Sequence, residues 1–76
     1  MLLSELPLKT RGIINKITLE GPEKRRLLDL GLIPGTEIEF IRQSPCGDPR
    51  AYLFRDTIIA FRREETDKIL IREEFK

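Results

Sequence analysis

The chain contains no histidine, no tryptophan and a single cysteine, Cys46, among its 76 residues. Without histidine, zinc sites built from Cys and His, Ser-His-Asp triads and Cys-His pairs lack their parts. One thiol cannot close an intramolecular disulfide, the usual support of a secreted chain of this length. No apolar run approaches the roughly 18 residues of a membrane-spanning helix. The first seven residues have no basic stretch and place Glu5 and Pro7 where a secretory leader needs unbroken apolar sequence. A reduced, cytoplasmic, soluble protein without membrane insertion is expected. An excess of one charge sign is missing too: 14 basic against 13 acidic side chains give a net +1. Nucleic-acid binders usually carry a pronounced basic excess, so nucleic acid is not the expected partner.

The mass, 8.9 kDa, leaves room for one domain over residues 1–76. A folded chain of this size keeps roughly 4,800 Å² accessible of roughly 13,000 Å² unfolded, so only about 60% of its surface can be hidden. A ligand pocket of about 300 Å³ would consume much of that interior. Binding rather than catalysis is the expectation. Glu64 and Glu65 could in principle serve as paired acids, but neighbours on a turn diverge, and no nucleophile or phosphate-cradling glycine loop accompanies them.

Glycine and proline divide the chain into short pieces. Leu6 and Leu8 should tuck under a sheet. Gly12 to Ile17 reads as a half-buried strand, with Ile13 and Ile17 on one side and Ile14 on the other. Pro22 with Glu23 opens a helix and Gly31 closes it, placing Leu32 against Leu27. Leu27, Leu28 and Leu30 are expected to form its apolar face. Pro34-Gly35 signals a type II turn, and Ile38 and Phe40 should face inward from the strand that follows. Pro45 to Pro49 forms a second turn, Ala51 to Phe54 a strand, Asp56 a tight turn, Thr57 to Arg62 a strand, Glu64 to Lys68 a turn or single helical loop, and Ile69 to Arg72 the last strand. About five short strands with one helix describe a mainly β, strongly curved barrel, since so little core would leave open edges unprotected. An SH3-like barrel is the first choice, with an OB-type barrel competing; strand spacing alone does not separate them.

The run from Arg26 to Ile38, together with Gly12–Ile17, Pro45–Pro49, Ile59–Arg62 and Ile69–Ile71, resembles the FeoA family, small cytoplasmic proteins associated with bacterial ferrous iron uptake. The pieces fall in the family's order and cover nearly the whole chain. The resemblance implies an SH3-like barrel with a helix inserted after the first long strand. It also implies a partner, the membrane ferrous iron transporter FeoB, through its cytoplasmic GTPase region. The same fold closes metal-dependent repressors of the diphtheria toxin repressor type. Asp56 departs from the pattern, standing where a glycine is common; aspartate tolerates the left-handed conformation at modest cost.

The candidate partner-binding residues are Lys24, Arg25 and Arg26 on the helix, Cys46 and Asp48 in the second turn, and Tyr52. Three cations in the first half of a helix oppose its dipole, by a few tenths of a kcal/mol each when exposed. Docking on an acidic surface would explain them; a solvated helix face is the simpler account. Asp48 also suits a turn by bonding backbone N–H groups two residues on, and Tyr52 is the clearest candidate for an exposed aromatic. Glu20 and Glu23 match, by the same resemblance, a loop that supplies oxygen ligands to metal in the repressor-type relatives. Two carboxylates would hold a divalent transition metal only weakly, and no resident cofactor is expected. A metal-responsive regulatory domain and a small RNA-binding barrel are the alternatives to the transport-accessory reading.

Overall fold

A computed structural model describes residues 1–73. A 3₁₀ turn at Leu3–Glu5 precedes strand β1 (Arg11–Ile17), helix α1 (Gly21–Asp29), strands β2 (Glu37–Gln43), β3 (Arg50–Phe54) and β4 (Thr57–Phe61), the one-turn helix α2 (Arg63–Thr66) and strand β5 (Ile69–Glu73). All pairings are antiparallel, in the order β4-β3-β2-β1-β5. The accessible surface, 4958 Å², is near the value expected from mass.

Two bulges set which side chains point inward. On β1, Ile14 pairs with Ile71 and Lys16 with Leu70, so Asn15 is the extra residue. Because side chains alternate along a strand, one extra residue reverses the parity. Ile14 and Ile17 therefore both reach the core while Ile13 stays half-buried, which corrects the pairing of Ile13 with Ile17. Ile41 is the equivalent extra residue on β2, between the Phe40–Tyr52 and Arg42–Ala51 pairs.

The core joins Ile38, Phe40, Tyr52, Phe54, Phe61, Ile69 and Ile71 from the strands to Leu3, Leu6, Leu19, Leu27 and Leu32 from the connections. Phe40, Tyr52 and Phe61 form a row with ring centroids 5.1 and 5.8 Å apart. Leu6 is buried as expected, but Leu8 is 43% exposed: the chain reverses at Lys9, whose φ is +70°, before entering β1. Gly12 is required by close approach, since a Cβ there would lie 2.8 Å from Ile71 Cδ1 and 3.2 Å from the Arg72 carbonyl.

The turns expected at Pro34-Gly35 and at Asp56 are both present. Gly35 has φ +94° and the Thr36 N–H donates to the Ile33 carbonyl at 3.0 Å, as a Pro-Gly type II turn requires. Between β3 and β4 a two-residue loop places both Arg55 (φ +51°) and Asp56 (φ +62°) in the left-handed region, the signature of a type I′ hairpin.

Candidate functional site

Helix α1 is packed into the core by one side chain. Leu27 is its sole buried residue. At its start Gly21 takes φ +67°, and Pro22 follows where its missing N–H has no consequence. At its end the Leu32 N–H donates to the Leu27 carbonyl at 2.9 Å and the Gly31 N–H to the Leu28 carbonyl at 3.0 Å, with Gly31 at φ +90°. This is a Schellman closure, with Leu32 and Leu27 both in the core. The Arg55 side chain lies over Gly31, where an added Cβ would meet its Cδ at 3.2 Å. A cation is favourable at that end of a helix.

The expectation of a three-leucine apolar face is corrected. Leu28 is 45% exposed and Leu30 is exposed with it. Successive helical residues diverge by 100°, so a helix that packs one narrow face on the core cannot bury Leu27 and Leu28 against the same wall. Leu28 instead joins Gly21, Lys24, Arg25 and Asp29 around an open depression of about 470 Å³ on the outer side of α1. Lys24 and Arg25 are both exposed there.

Arg26 turns the other way, 3.9 Å from Glu65 on α2. The second turn is tied to the same short helix. Asp48 Oδ1 accepts the Arg63 N–H at 2.9 Å and Oδ2 lies 3.8 Å from Arg62, while the Ser44 hydroxyl donates to the Asp48 carbonyl at 2.8 Å. The Asp48 carboxylate thus bonds across to α2 rather than to its own turn. Cys46 lies in that turn, exposed. The structure therefore joins Arg26 and the turn at 44–49 through α2, and leaves Lys24 and Arg25 outside that network. Glu23 lines a further shallow depression of about 410 Å³ with Leu19, Arg62, Glu64, Glu65 and Lys68.

Tyr52 is not a surface aromatic. It is 0% exposed, its position two residues before Phe54 placing both on the core side of β3. Its hydroxyl makes no hydrogen bond among the described residues. Burial raises the phenol above its ordinary value, and the adjacent Arg50 guanidinium and Thr66 hydroxyl offset this only in part. Both neighbours are engaged elsewhere. Arg50 donates to the carbonyls of Ser4 at 2.7 Å and Gly47 at 3.3 Å with its guanidinium over the Phe40 ring, and Thr66 donates to the Arg63 carbonyl at 3.0 Å.

Glu20 and Glu23 flank the start of α1, both exposed. Among the described residues no group of three or more Cys, Asp or Glu side chains is placed to hold a metal ion. These two carboxylates stand without the further ligands a tight site needs. Sequence reasoning missed Leu28 at the surface and Arg50 as the link between the 3₁₀ turn, the turn at 44–47 and Phe40.

A five-stranded antiparallel sheet with a helix between its first two strands and a single helical turn before the last defines a small SH3-like domain. The FeoA of Stenotrophomonas maltophilia in complex with zinc, described as a prokaryotic SH3 domain protein, aligns with it at TM-score 0.78 and 31% identity, over 93% of this chain and 88% of that one. The chain belongs to the FeoA domain family, whose model matches residues 1–73. The solution structure of FeoA from Chlorobium tepidum superposes at TM-score 0.91 and 33% identity, over 96% of this chain and 70% of that one. A fusion of an Fe(2+) transport protein A with the Fe(2+) transporter FeoB in Porphyromonas gingivalis is 32% identical over 69 residues, 91% of this chain. The chain spans only 8% of that relative's length. Among the described residues no helix is long and apolar enough to cross a membrane.

Proposed function

We propose that this protein is an accessory of ferrous iron transport that docks on the cytoplasmic GTPase region of a FeoB transporter, acting by contact rather than by catalysis. The observation that carries the reading is the outer face of α1, where Lys24 and Arg25 flank the half-exposed Leu28 on a helix that buries only Leu27. An apolar centre with a charged rim is the usual anatomy of a protein contact, and cations on it select an acidic partner. The P. gingivalis relative, which carries protein A and the transporter in one polypeptide, supports the choice of partner. Arg26 contributes through Glu65, by holding α1 against α2. Cys46 and the turn at 44–49 form a second part of the contact.

The test is titration of the protein into the isolated cytoplasmic domain of FeoB. Reversing Lys24 and Arg25 to glutamate together should weaken binding by about tenfold or more, because reversed charges at a complementary rim cost more than lost ones. Leu28→Ser should weaken it without changing its salt dependence, and alkylation of Cys46 tests the turn separately. Unchanged binding in the charge-reversed protein would refute docking through α1.

A further inference from the structure

The sheet has two edges, and they are treated differently. The outer side of β5 is covered by the N-terminal segment: the Ile71 N–H donates to the Met1 carbonyl at 2.7 Å, and Leu2 forms a bridge with Leu70. Among the described residues no strand or bridge pairs with the outer side of β4. Its five residues, Thr57 to Phe61, include no charge and no proline, and their pairing with β3 has no bulge. Charges, proline and bulges are the devices that keep sheet edges from joining.

Which backbone groups face outward follows from the register. Phe40 exchanges hydrogen bonds with the chain entering β1, its N–H donating to the Thr10 carbonyl at 3.1 Å and its carbonyl accepting from Lys9 at 2.7 Å. Alternation then turns Glu39 toward its β3 partner Leu53, and Tyr52 and Phe54 toward their β4 partners Ile59 and Thr57. The N–H and carbonyl groups of Ile58 and Ala60 therefore point away from the sheet. Ile58 is 52% exposed and Ala60 is exposed.

We infer that this edge pairs with a second copy of the chain, β4 against β4 in antiparallel register about a twofold axis at Ile59. In that register the outward backbone groups of Ile58 meet those of Ala60 of the second copy, and the reverse. Asp56, at one end of each strand, then stands opposite Arg62 at the other end of its neighbour. Arg62 continues the extended backbone (φ −84°, ψ 155°), and its intramolecular pairing with Asp48 is long and exposed, so the side chain is free to turn. Sliding the strands by two residues sets Ile58 opposite either itself or Arg62, and in neither case does Asp56 face Arg62. Charge complementarity thus selects one register. The apolar strip Leu53–Ile58 on the outer face of one copy would continue into Ala60–Ala51 of the other.

A contact built on five-residue strands lies below the about 1,200 Å² of a stable interface, so association should be weak and visible between about 10 μM and about 1 mM. Sedimentation over that range should show the average mass climbing toward twice the monomer. The amide protons of Ile58 and Ala60 should become slower to exchange as concentration rises. Ile58→Lys, at an exposed site, should keep the fold and abolish both effects. Asp56→Arg and Arg62→Asp should each remain monomeric alone, yet associate when mixed, since each copy then supplies the charge the other lacks. The protein with Lys24 and Arg25 reversed should still self-associate, separating this edge from the α1 face. A constant monomer mass at 1 mM with concentration-independent exchange at Ile58 and Ala60, association that survives Ile58→Lys, or failure of the mixed variants to pair would each overturn the inference.

Discussion

Tyr52 offers a test of the core in which one group reports on itself. It is the chain's one tyrosine and there is no tryptophan, so tyrosinate absorbance near the red edge of the ultraviolet band belongs to it alone. Its ring is fully buried against Phe40 and Phe61, contacts that Tyr52→Phe would keep. What the substitution removes is a hydroxyl with no hydrogen-bond partner among the described residues. Leaving a buried donor unsatisfied costs about 1–3 kcal/mol, whereas an apolar group of the same shape has no such penalty. Part of that cost is relieved by the adjacent Arg50 guanidinium and Thr66 hydroxyl, so Tyr52→Phe should stabilise the domain by about 1 kcal/mol. For a domain of this size that corresponds to a rise in Tm of about 4–8 °C, read by circular dichroism at neutral pH.

The same group makes a second prediction with an unambiguous sign. The folded state holds the phenolic proton more tightly than the unfolded chain does, because burial disfavours the anion. Its contribution to stability is complete below the unfolded phenol value, about 10, and is lost as pH rises through the higher folded value. Unfolding free energy of the natural protein should therefore fall relative to Tyr52→Phe only in the alkaline range, with tyrosinate absorbance rising in step. A loss of 1 kcal/mol or more in Tyr52→Phe at neutral pH would refute the reasoning, since it would mean that Arg50 or Thr66 does bond the hydroxyl. A double-mutant cycle with Thr66→Val would then locate the bond.

Two backbone positions give further expectations. Gly12→Ala should destabilise by about 1–3 kcal/mol, because its Cβ would meet Ile71 Cδ1 at 2.8 Å and the immobile Arg72 carbonyl at 3.2 Å; a urea midpoint unchanged from the natural protein would contradict the close approach. Asp56→Gly should stabilise by about 1 kcal/mol by relieving a left-handed side chain, with Tm as the measurement. Arg55→Gly should gain less, because it also removes the side chain packed over Gly31.

Much of the fold was legible where a single residue type is compulsory. Pro22 and Gly31 bounded the helix, Gly31 and Leu32 announced the Schellman closure, and Pro34-Gly35 named its turn, because each rests on a local backbone conformation that few residues adopt. Parity across a bulge was not legible. Nothing in the residues around Asn15 marks it as the extra one, so simple alternation pairs Ile13 with Ile17 when Ile14 is the true companion. The exposure of Leu28 is hidden for a different reason: the leucine pattern records which faces are apolar, not which of them finds a wall. Tyr52 could have been placed correctly, since it shares the parity of Phe54. The Asp48 bonds to α2 depend on residues 14 and 15 positions away, Arg62 and Arg63, a distance no local pattern spans.

The outer face of α1 collects two features that local stability would not select. Lys24 and Arg25 stand toward the positive end of the helix dipole, and Leu28 is displayed beside them although other positions show that the domain buries leucine well. At many other positions the local signals and the tertiary structure agree: acids occupy the outward positions of β2, the helix end is closed by its glycine, and the hairpin takes the turn its length requires. In a sequence that is locally consistent, the sites that break the rules are where function is to be sought. A dipole-opposing cation or a bare leucine alone would be unremarkable. That they adjoin, on a helix with one buried side chain, is what makes contact with a partner the more economical account than a solvated helix face.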